Sequence, residues 1–150
     1  MNNDLIILTK RLKNSESIID TSVSAKELDI DNLDFTFIDD IHIKIQASSV
    51  SKEFLFRCDI QTNIQAKCSR CLKDIDFTID IKDFIFTYEN EHQDKIDISI
   101  DIRDAILIEI PTRLICKEDC KGFCPICKTD LNTNQCRCED KAFNNPFAGL

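Results

Sequence analysis

Eight of the nine cysteines fall into four close pairs, and this spacing constrains the fold more than any other feature of the chain. A close pair can place two sulfurs around one ion, and two pairs complete the tetrahedral thiolate cage that Zn²⁺ prefers. The sequence therefore predicts a zinc-built module that holds one or two ions. Its candidate metal ligands are Cys68, Cys71, Cys116, Cys120, Cys124, Cys127, Cys136 and Cys138.

The length of 150 residues, 43% of them hydrophobic, suits one ordinary core rather than two large ones. We expect a single domain over 1–150, with an N-terminal segment at 1–34, a sheet and helix at 35–115, and a cysteine-rich module with a tail at 116–150. No apolar run approaches the roughly 20 residues that cross a bilayer, and the N-terminus lacks the features of a secretory signal. A cytoplasmic protein without membrane contact is therefore expected.

Alternating apolar residues predict an antiparallel sheet in the middle of the chain. The run from Phe54 to Cys68 has the period of a long, half-buried strand and places Cys58 in the core. A second alternating run begins at Ile75, shifts phase at 82–83, and continues to Tyr88, which predicts a bulge or a bend. Another strand is expected at 40–47. The first cysteine pair then lies in the hairpin between the two long strands.

Helical spacing follows a short alternating run at 96–100. It predicts a helix with Asp101 as N-cap and an end before Pro111, and a shorter helix is expected near residues 25–28, capped by Ser22 or Ser24. The predicted fold class is α+β. It consists mainly of an antiparallel β-sheet, with one or two short helices and a C-terminal cysteine-rich module like a zinc ribbon.

Two arrangements of the cysteine pairs are open. In the first, the pair at 124 and 127 joins the pair at 136 and 138, and the pair at 116 and 120 returns to the pair at 68 and 71. In the second, the four cysteines between 116 and 127 form one local site, and the first pair meets the last. Both arrangements give four sulfurs to each cage.

Three other uses of the cysteines compete with zinc. A redox Cys-x-x-Cys pair usually opens a helix in a thioredoxin-like unit, which this region does not resemble. The spacings match neither ferredoxin pattern, which disfavours iron–sulfur clusters. A reducing cytosol disfavours disulfides.

The net charge of −8 is unevenly distributed. Residues 74–110 carry 3 basic and 11 acidic groups, whereas basic side chains flank the cysteine pairs. These cations could contact phosphate or an acidic protein, or they could simply solvate the edges of anionic thiolate cages. The candidate partner-binding residues are Lys67, Arg70, Lys73, Lys117, Lys121 and Lys128.

Four stretches together resemble the YceD family of bacteria and plastids: 68–72, 110–111, 116–127, and the tail at 145–150. Members of that family are associated with accumulation of large-subunit ribosomal RNA. The resemblance implies a non-enzymatic assembly or stability factor. Two positions depart from the family pattern, because Lys128 stands where many relatives have Gly and Asn144 replaces an acidic residue.

An enzyme is not expected, because the two histidines, His42 and His92, lie far apart and the cysteines are assigned to metal. In the first functional hypothesis, the zinc end binds large-subunit rRNA or a ribosomal protein through its lysines. In the second, an acidic adaptor holds a basic protein through Asp74, Asp76, Asp80 and Asp83. A thiol redox protein is the third. No small-molecule substrate is expected.

Overall fold

The computed structural model describes residues 3–13, 15–31, 34–89 and 93–138. A 3-10 turn at Asn3–Leu5 precedes seven strands and two helices in these ranges. The strands are β1 (Ile6–Leu8), β2 (Ser17–Val23), β3 (Phe35–Phe37), β4 (Ile41–Val50), β5 (Glu53–Lys67), β6 (Asp74–Glu89) and β7 (Lys95–Asp97), and the helices are α1 (Thr9–Leu12) and α2 (Ser99–Glu109). His92 and the tail motif at 145–150 lie outside the described residues.

The strands form two antiparallel sheets. In the larger sheet β4 pairs with β2 and β5, while β5 also pairs with β3 and β6. The smaller sheet contains β1 and β7. The predicted α+β class, mainly antiparallel sheet with two short helices and a C-terminal cysteine cluster, is confirmed.

Burial on β5 follows the period of two in its sequence. Every second side chain from Phe54 to Ala66 is buried, because successive side chains of a strand point to opposite faces of the sheet. Cys58 lies in this row, and burial raises the pKa of its thiol to about 12. This cysteine is therefore a protonated core residue.

The phase shift on β6 occurs where the sequence places it. The half-buried side chains change from odd positions before Lys82 to even positions after Asp83. Asp83 adopts the left-handed backbone with φ 52°, and its N–H donates to Asp59 Oδ1 at 2.9 Å. One extra residue in this conformation turns the strand as a bulge does.

Helix α2 begins earlier than predicted, and Asp101 is not its N-cap. The carboxylate of Asp97 accepts hydrogen bonds from the N–H and the hydroxyl of Ser99, at the first turn. The alternating run at 96–100 is therefore a strand only as far as Asp97, and Ser99 and Ile100 already belong to α2. Asp101 lies inside the first turn and accepts a hydrogen bond from the Tyr88 hydroxyl.

The predicted helix near residues 25–28 is a turn in the structure. The N–H and hydroxyl of Ser24 do donate to the carboxylate of Glu27, as they would at a helix start. Asp29 then adopts the left-handed conformation with φ 55°, and Ile30 N–H closes the turn on Ala25 O at 3.0 Å. The helix cannot continue through that residue.

The chain divides into two compact units. The sheet unit comprises Met1–Ala66 and Ile75–Thr112, and the cysteine unit comprises Lys67–Asp74 and Arg113–Leu150. In the sheet unit, Ile102, Ala105 and Ile106 of α2 share one hydrophobic cluster with the buried rows of β4 and β5. That residues 1–150 form a single domain stays a prediction. No helix in the described ranges has the length and apolar character needed to span a membrane.

Candidate metal centre

The end of the β5–β6 hairpin supplies the first two sulfurs of the cysteine unit. Cys68 N–H donates to Lys73 O at 2.8 Å, and Leu72 N–H returns to Cys68 O at 3.0 Å. Leu72 adopts the left-handed backbone with φ 61°, immediately after Cys71. This tight knuckle brings two thiols that are three residues apart to one side of the turn.

The second pair of sulfurs comes from the segment after α2. Ser69 N–H donates to Leu114 O at 2.8 Å, and Cys116 N–H points to Cys68 Sγ at 3.3 Å. The guanidinium of Arg70 donates to Cys120 O at 3.0 Å. These hydrogen bonds hold the segment at 114–120 against the knuckle.

The four thiols of Cys68, Cys71, Cys116 and Cys120 form a cluster that we call site 1. All four sulfurs lie within 4.8 Å of one another. Cys68 Sγ is 3.8 Å from Cys120 Sγ, and Cys71 Sγ is 3.7 Å from Cys116 Sγ. A tetrahedral zinc site with Zn–S bonds of about 2.3 Å has sulfurs about 3.8 Å apart. The donor set and spacing of site 1 therefore fit Zn²⁺.

A second knuckle at 124–128 repeats the construction of the first. Cys124 N–H donates to Thr129 O at 2.9 Å, and Lys128 N–H donates to Cys124 O at 2.8 Å. Lys128 occupies the left-handed region with φ 58°, the same position after the second thiol that Leu72 has in the first knuckle. The thiols of Cys124, Cys127, Cys136 and Cys138 lie within 4.8 Å of one another and form site 2.

The cysteines are grouped as in the first of the two arrangements that the sequence left open. Cys116 and Cys120 lie with Cys68 and Cys71, although Cys120 is much nearer in sequence to Cys124. The second arrangement is not present in the described part of the chain. The presence of metal, its identity as zinc and the number of ions stay predictions.

Hydrogen bonding in site 1 separates the pKa values of its thiols. Burial opposes ionisation of Cys68, but backbone N–H groups of Cys71, Arg70 and Cys116 lower the pKa of that thiol to about 6. For Cys116, burial and the neighbouring thiols raise the pKa to about 12. The thiolates that form readily in the cluster oppose the ionisation of their neighbours, and a bound cation would offset this repulsion.

Site 2 has the same division. The side chain and N–H of Thr129 lower the pKa of Cys127 to about 6. The hydrogen bond between Cys138 and Cys127, together with burial, raises the pKa of Cys138 to about 12. Both clusters are therefore chemically suited to a divalent cation that prefers sulfur.

The six candidate partner-binding cations differ in their surroundings. Lys67 Nζ pairs with Asp74 at 2.8 Å, and Lys117 Nζ lies 3.8 Å from Asp119. Arg70 is directed to backbone carbonyls of the cysteine unit. In the part of the chain that the structure describes, no ion pair engages three exposed lysines: Lys73, Lys121 and Lys128.

The four acidic residues of the adaptor hypothesis are exposed on β6, and each has a polar neighbour. Besides the pair between Lys67 and Asp74, Asp76 accepts a hydrogen bond from Gln65 at 3.1 Å. Asp80 pairs with Lys82 at 2.9 Å, and Asp83 lies 3.7 Å from Arg57. They line a solvated strand face rather than converging on one point.

Sequence reasoning missed Asn132. The chain at 130–134 reads as an ordinary turn, but the side chain of Asn132 is half-buried and its Nδ2 lies 3.5 Å from Cys120 Sγ. The only available sequence signal was an amide in a turn between ligand pairs, and many turns contain one.

Comparison with known proteins gives one family. A family model described as Large ribosomal RNA subunit accumulation protein YceD matches residues 87–150, which supports the resemblance that the sequence motifs suggest. The matched range includes six clustered cysteines but not Cys68 and Cys71, which complete site 1 in three dimensions. Neither a curated protein nor a solved structure matches the chain.

Proposed function

We propose that this chain, whose residues 87–150 match the YceD family, is a non-enzymatic ribosome-biogenesis factor that supports accumulation of large-subunit ribosomal RNA. In this proposal Zn²⁺ in sites 1 and 2 folds the cysteine unit, because so short a segment cannot bury a core of its own. The folded unit then docks on large-subunit rRNA. It acts in the cytoplasm, where thiols remain reduced.

The exposed lysines of the cysteine unit carry the proposal. Lys73, Lys121 and Lys128 make no ion pair among the residues that the structure describes. Lys121 and Lys128 directly follow ligand cysteines, and Lys73 follows the turn that carries Cys71. A lysine outside any ion pair is available to a phosphate, and releasing counterions from RNA supplies the binding free energy. Of the three, Lys73 is close enough to the Asp130 carboxylate to interact with its charge. We therefore assign rRNA contact to this lysine rim, defined as Lys73, Lys121 and Lys128.

The charge of the two units differs in sign. In the sequence, the cysteine unit has nine basic and six acidic side chains, whereas the sheet unit has 10 basic and 21 acidic ones. Four-thiolate zinc cages are themselves anionic and offset part of the positive excess. RNA contact is therefore assigned to particular exposed lysines rather than to the net charge of the unit.

A binding experiment tests the proposal. Zinc-loaded protein is titrated with large-subunit rRNA fragments at several salt concentrations, and the K73E/K121E/K128E variant is compared with the parent. If each lysine meets one phosphate, the slope of log K against log salt falls by about 0.7 per lysine. The variant should also fail to support large-subunit rRNA accumulation in cells that lack the parent protein.

The matched control reverses three exposed lysines of the sheet unit, K26E/K52E/K95E, which changes the net charge by the same amount. Unchanged RNA affinity in the control supports local contact by the lysine rim. Equal loss in both variants would indicate only a general effect of charge, and no loss in the rim variant would reject the docking surface.

The acidic adaptor is a second candidate, and it is favoured by the excess of 11 acidic over basic side chains in the sheet unit, which contains three of the four carboxylates of that hypothesis. Its partner would be a basic ribosomal protein before assembly. Changing Asp74, Asp76, Asp80 and Asp83 to Asn should then abolish capture of that protein. Exposed ion pairs like those on β6 contribute little free energy, so basic groups of the partner could replace the lysines and arginine that now pair with these carboxylates.

A thiol redox role has the weakest support. The low pKa of the exposed Cys127 thiol would suit a nucleophile. However, its cluster contains four sulfurs rather than an isolated pair. A disulfide that forms and reduces reversibly in the native, metal-loaded protein would favour redox work over zinc binding.

A further inference from the structure

The two cysteine clusters are joined by a short linker and by one side chain. Only residues 121–123 separate Cys120 of site 1 from Cys124 of site 2. The loop at 128–135 returns from site 2 and hydrogen-bonds this linker, because Leu131 N–H donates to Gly122 O at 3.0 Å. Phe123 and Asp130 also form a β-bridge between the linker and the loop. The linker and the loop therefore form one small structure.

Asn132 extends from this loop to a ligand of the other cluster. Its Nδ2 lies 3.5 Å from Cys120 Sγ, and its Oδ1 accepts the N–H of Lys121 at 2.9 Å. The amide nitrogen has two hydrogens, so Nδ2 also donates to Asp130 Oδ1 at 2.9 Å. Every polar atom of the Asn132 amide is thus engaged, and its orientation is determined.

Asp130 holds Asn132 in place from within the loop. Its carboxylate also accepts the backbone N–H of Asn132 at 2.9 Å, and these bonds lower the pKa of Asp130. The Asp130 carbonyl accepts Asn134 N–H at 3.0 Å. An ionised carboxylate at the centre of the loop thereby fixes the donor that faces Cys120.

Site 2 controls this loop because Cys127 and Cys136, at its two ends, are both ligands of that cluster. When a metal draws the four sulfurs of site 2 together, both ends of the loop are fixed. Less conformational entropy is then lost on placing Asn132 against Cys120. An N–H donor to a ligand sulfur stabilises the thiolate that metal requires. Organisation of site 2 should therefore favour metal binding at site 1.

We propose that sites 1 and 2 bind metal cooperatively, and that Asn132 is the positioning residue through which they are coupled. The inference rests on the metal binding in the proposed function but not on RNA docking. Because coupling of binding free energies is reciprocal, occupation of site 1 should favour site 2 by the same factor. Partial loading of the cysteine unit would then be rare.

Competition titrations of the full chain with Co²⁺ and a chelator measure the coupling, with the absorption of tetrahedral cobalt thiolate as the readout. The C136S/C138S variant gives the affinity of site 1 alone, and the C68S/C71S variant gives that of site 2 alone. The overall constant for loading both sites of the parent, divided by the product of these two affinities, is the coupling factor. We expect a factor of about ten or more, as for other couplings and outer-shell ligand contacts.

Asn132→Ala should reduce the coupling factor to near one. The factor is obtained by introducing Asn132→Ala into the parent, the C136S/C138S variant and the C68S/C71S variant and titrating each. Asn134→Ala is the matched control, because Asn134 is an exposed amide in the same loop and its described hydrogen bond uses only the backbone. It should leave the factor unchanged. Far-UV circular dichroism checks that each variant retains its sheet.

A parent factor within twofold of one would overturn the coupling, and a factor that survives Asn132→Ala would overturn the role of Asn132. Both outcomes would leave metal binding intact. Absence of any cobalt thiolate absorption in the parent would instead overturn metal binding, and the coupling with it.

Discussion

Cys68 Sγ lies 3.8 Å from Cys120 Sγ, although 52 positions separate the two residues in the chain. The contact joins a hairpin end to a segment that follows the only long helix among the described residues. It makes the cysteine unit discontinuous in sequence, and site 1 closes only when both parts are present.

Elemental analysis of the purified protein should find two zinc ions per chain. Cys71→Ser removes one ligand of site 1 and should lower the zinc content to about one, since a structural zinc site requires four donors. Cys58→Ala is the control, because this ninth cysteine is buried in the sheet unit and away from both clusters. A parent without bound metal would contradict the assignment of both sites.

Chelation should unfold the cysteine unit selectively. Its segments have few buried apolar side chains, whereas the sheet unit has a continuous hydrophobic cluster. Hydrogen exchange should show amide protection lost at 114–136 and retained on β4 and β5 after metal removal. Retained protection in both regions would indicate that the cysteine unit is stable without metal.

Replacing Lys128 by Gly should leave the affinity of site 2 unchanged or raise it. The left-handed backbone at φ 58° costs an L-residue about 1–2 kcal/mol, and Gly avoids this cost. Gly loses more conformational entropy on folding, which offsets roughly 0.5–1 kcal/mol of that stabilisation. Metal competition titration measures the net effect. Lys121→Gly is the control, since Lys121 does not adopt a positive φ and should only lose stability.

Replacing Gly122 by Ala should weaken site 1. Gly122 has φ 76°, and a Cβ there would lie 3.1 Å from the carbonyl oxygen of Arg70, which cannot move without disturbing the first knuckle. The strain of an Ala backbone in the left-handed conformation alone costs about 1–2 kcal/mol, which corresponds to roughly a tenfold loss or more in metal affinity. An unchanged affinity would show that the knuckle accommodates the methyl group.

Tyr88 should ionise well above the usual range, and it can be followed alone because the chain contains one Tyr and no Trp. Burial, followed by the hydrogen bond to Asp101, raises the pKa of Tyr88 to about 12. The folded protein thus favours the neutral phenol. This stabilisation is fully present below the unfolded pKa near 10 and is lost as pH rises through about 12.

Ultraviolet absorbance of the phenolate gives the midpoint of Tyr88, with the unfolded protein as reference. Asp101→Ala should lower the folded midpoint, while Asp104→Ala, on the same helix, should leave it unchanged. Equal midpoints in the folded and unfolded protein would show that neither burial nor Asp101 acts on the phenol.

The long strands were predictable because each residue pattern was local and strong. A period of two from Phe54 to Ala66 requires only that one face be buried, and the phase shift at Asp83 is visible in the same pattern. β2 was missed because Ser17 and Thr21 occupy its inward positions and weaken the alternation. Its pairing with β4, a tertiary contact, determines that strand.

The cysteine spacings by themselves determined that sulfur pairs exist and that a four-thiolate metal site is the chemistry they suit. Their sequence left two pairings open, since any two pairs supply four sulfurs. Only the tertiary structure decided which pairs meet, because the hairpin end and the segment at 114–120 are brought together by hydrogen bonds between residues remote in the chain, such as Ser69 N–H to Leu114 O. The same is true of Asn132, whose amide becomes significant only when folding places it against Cys120.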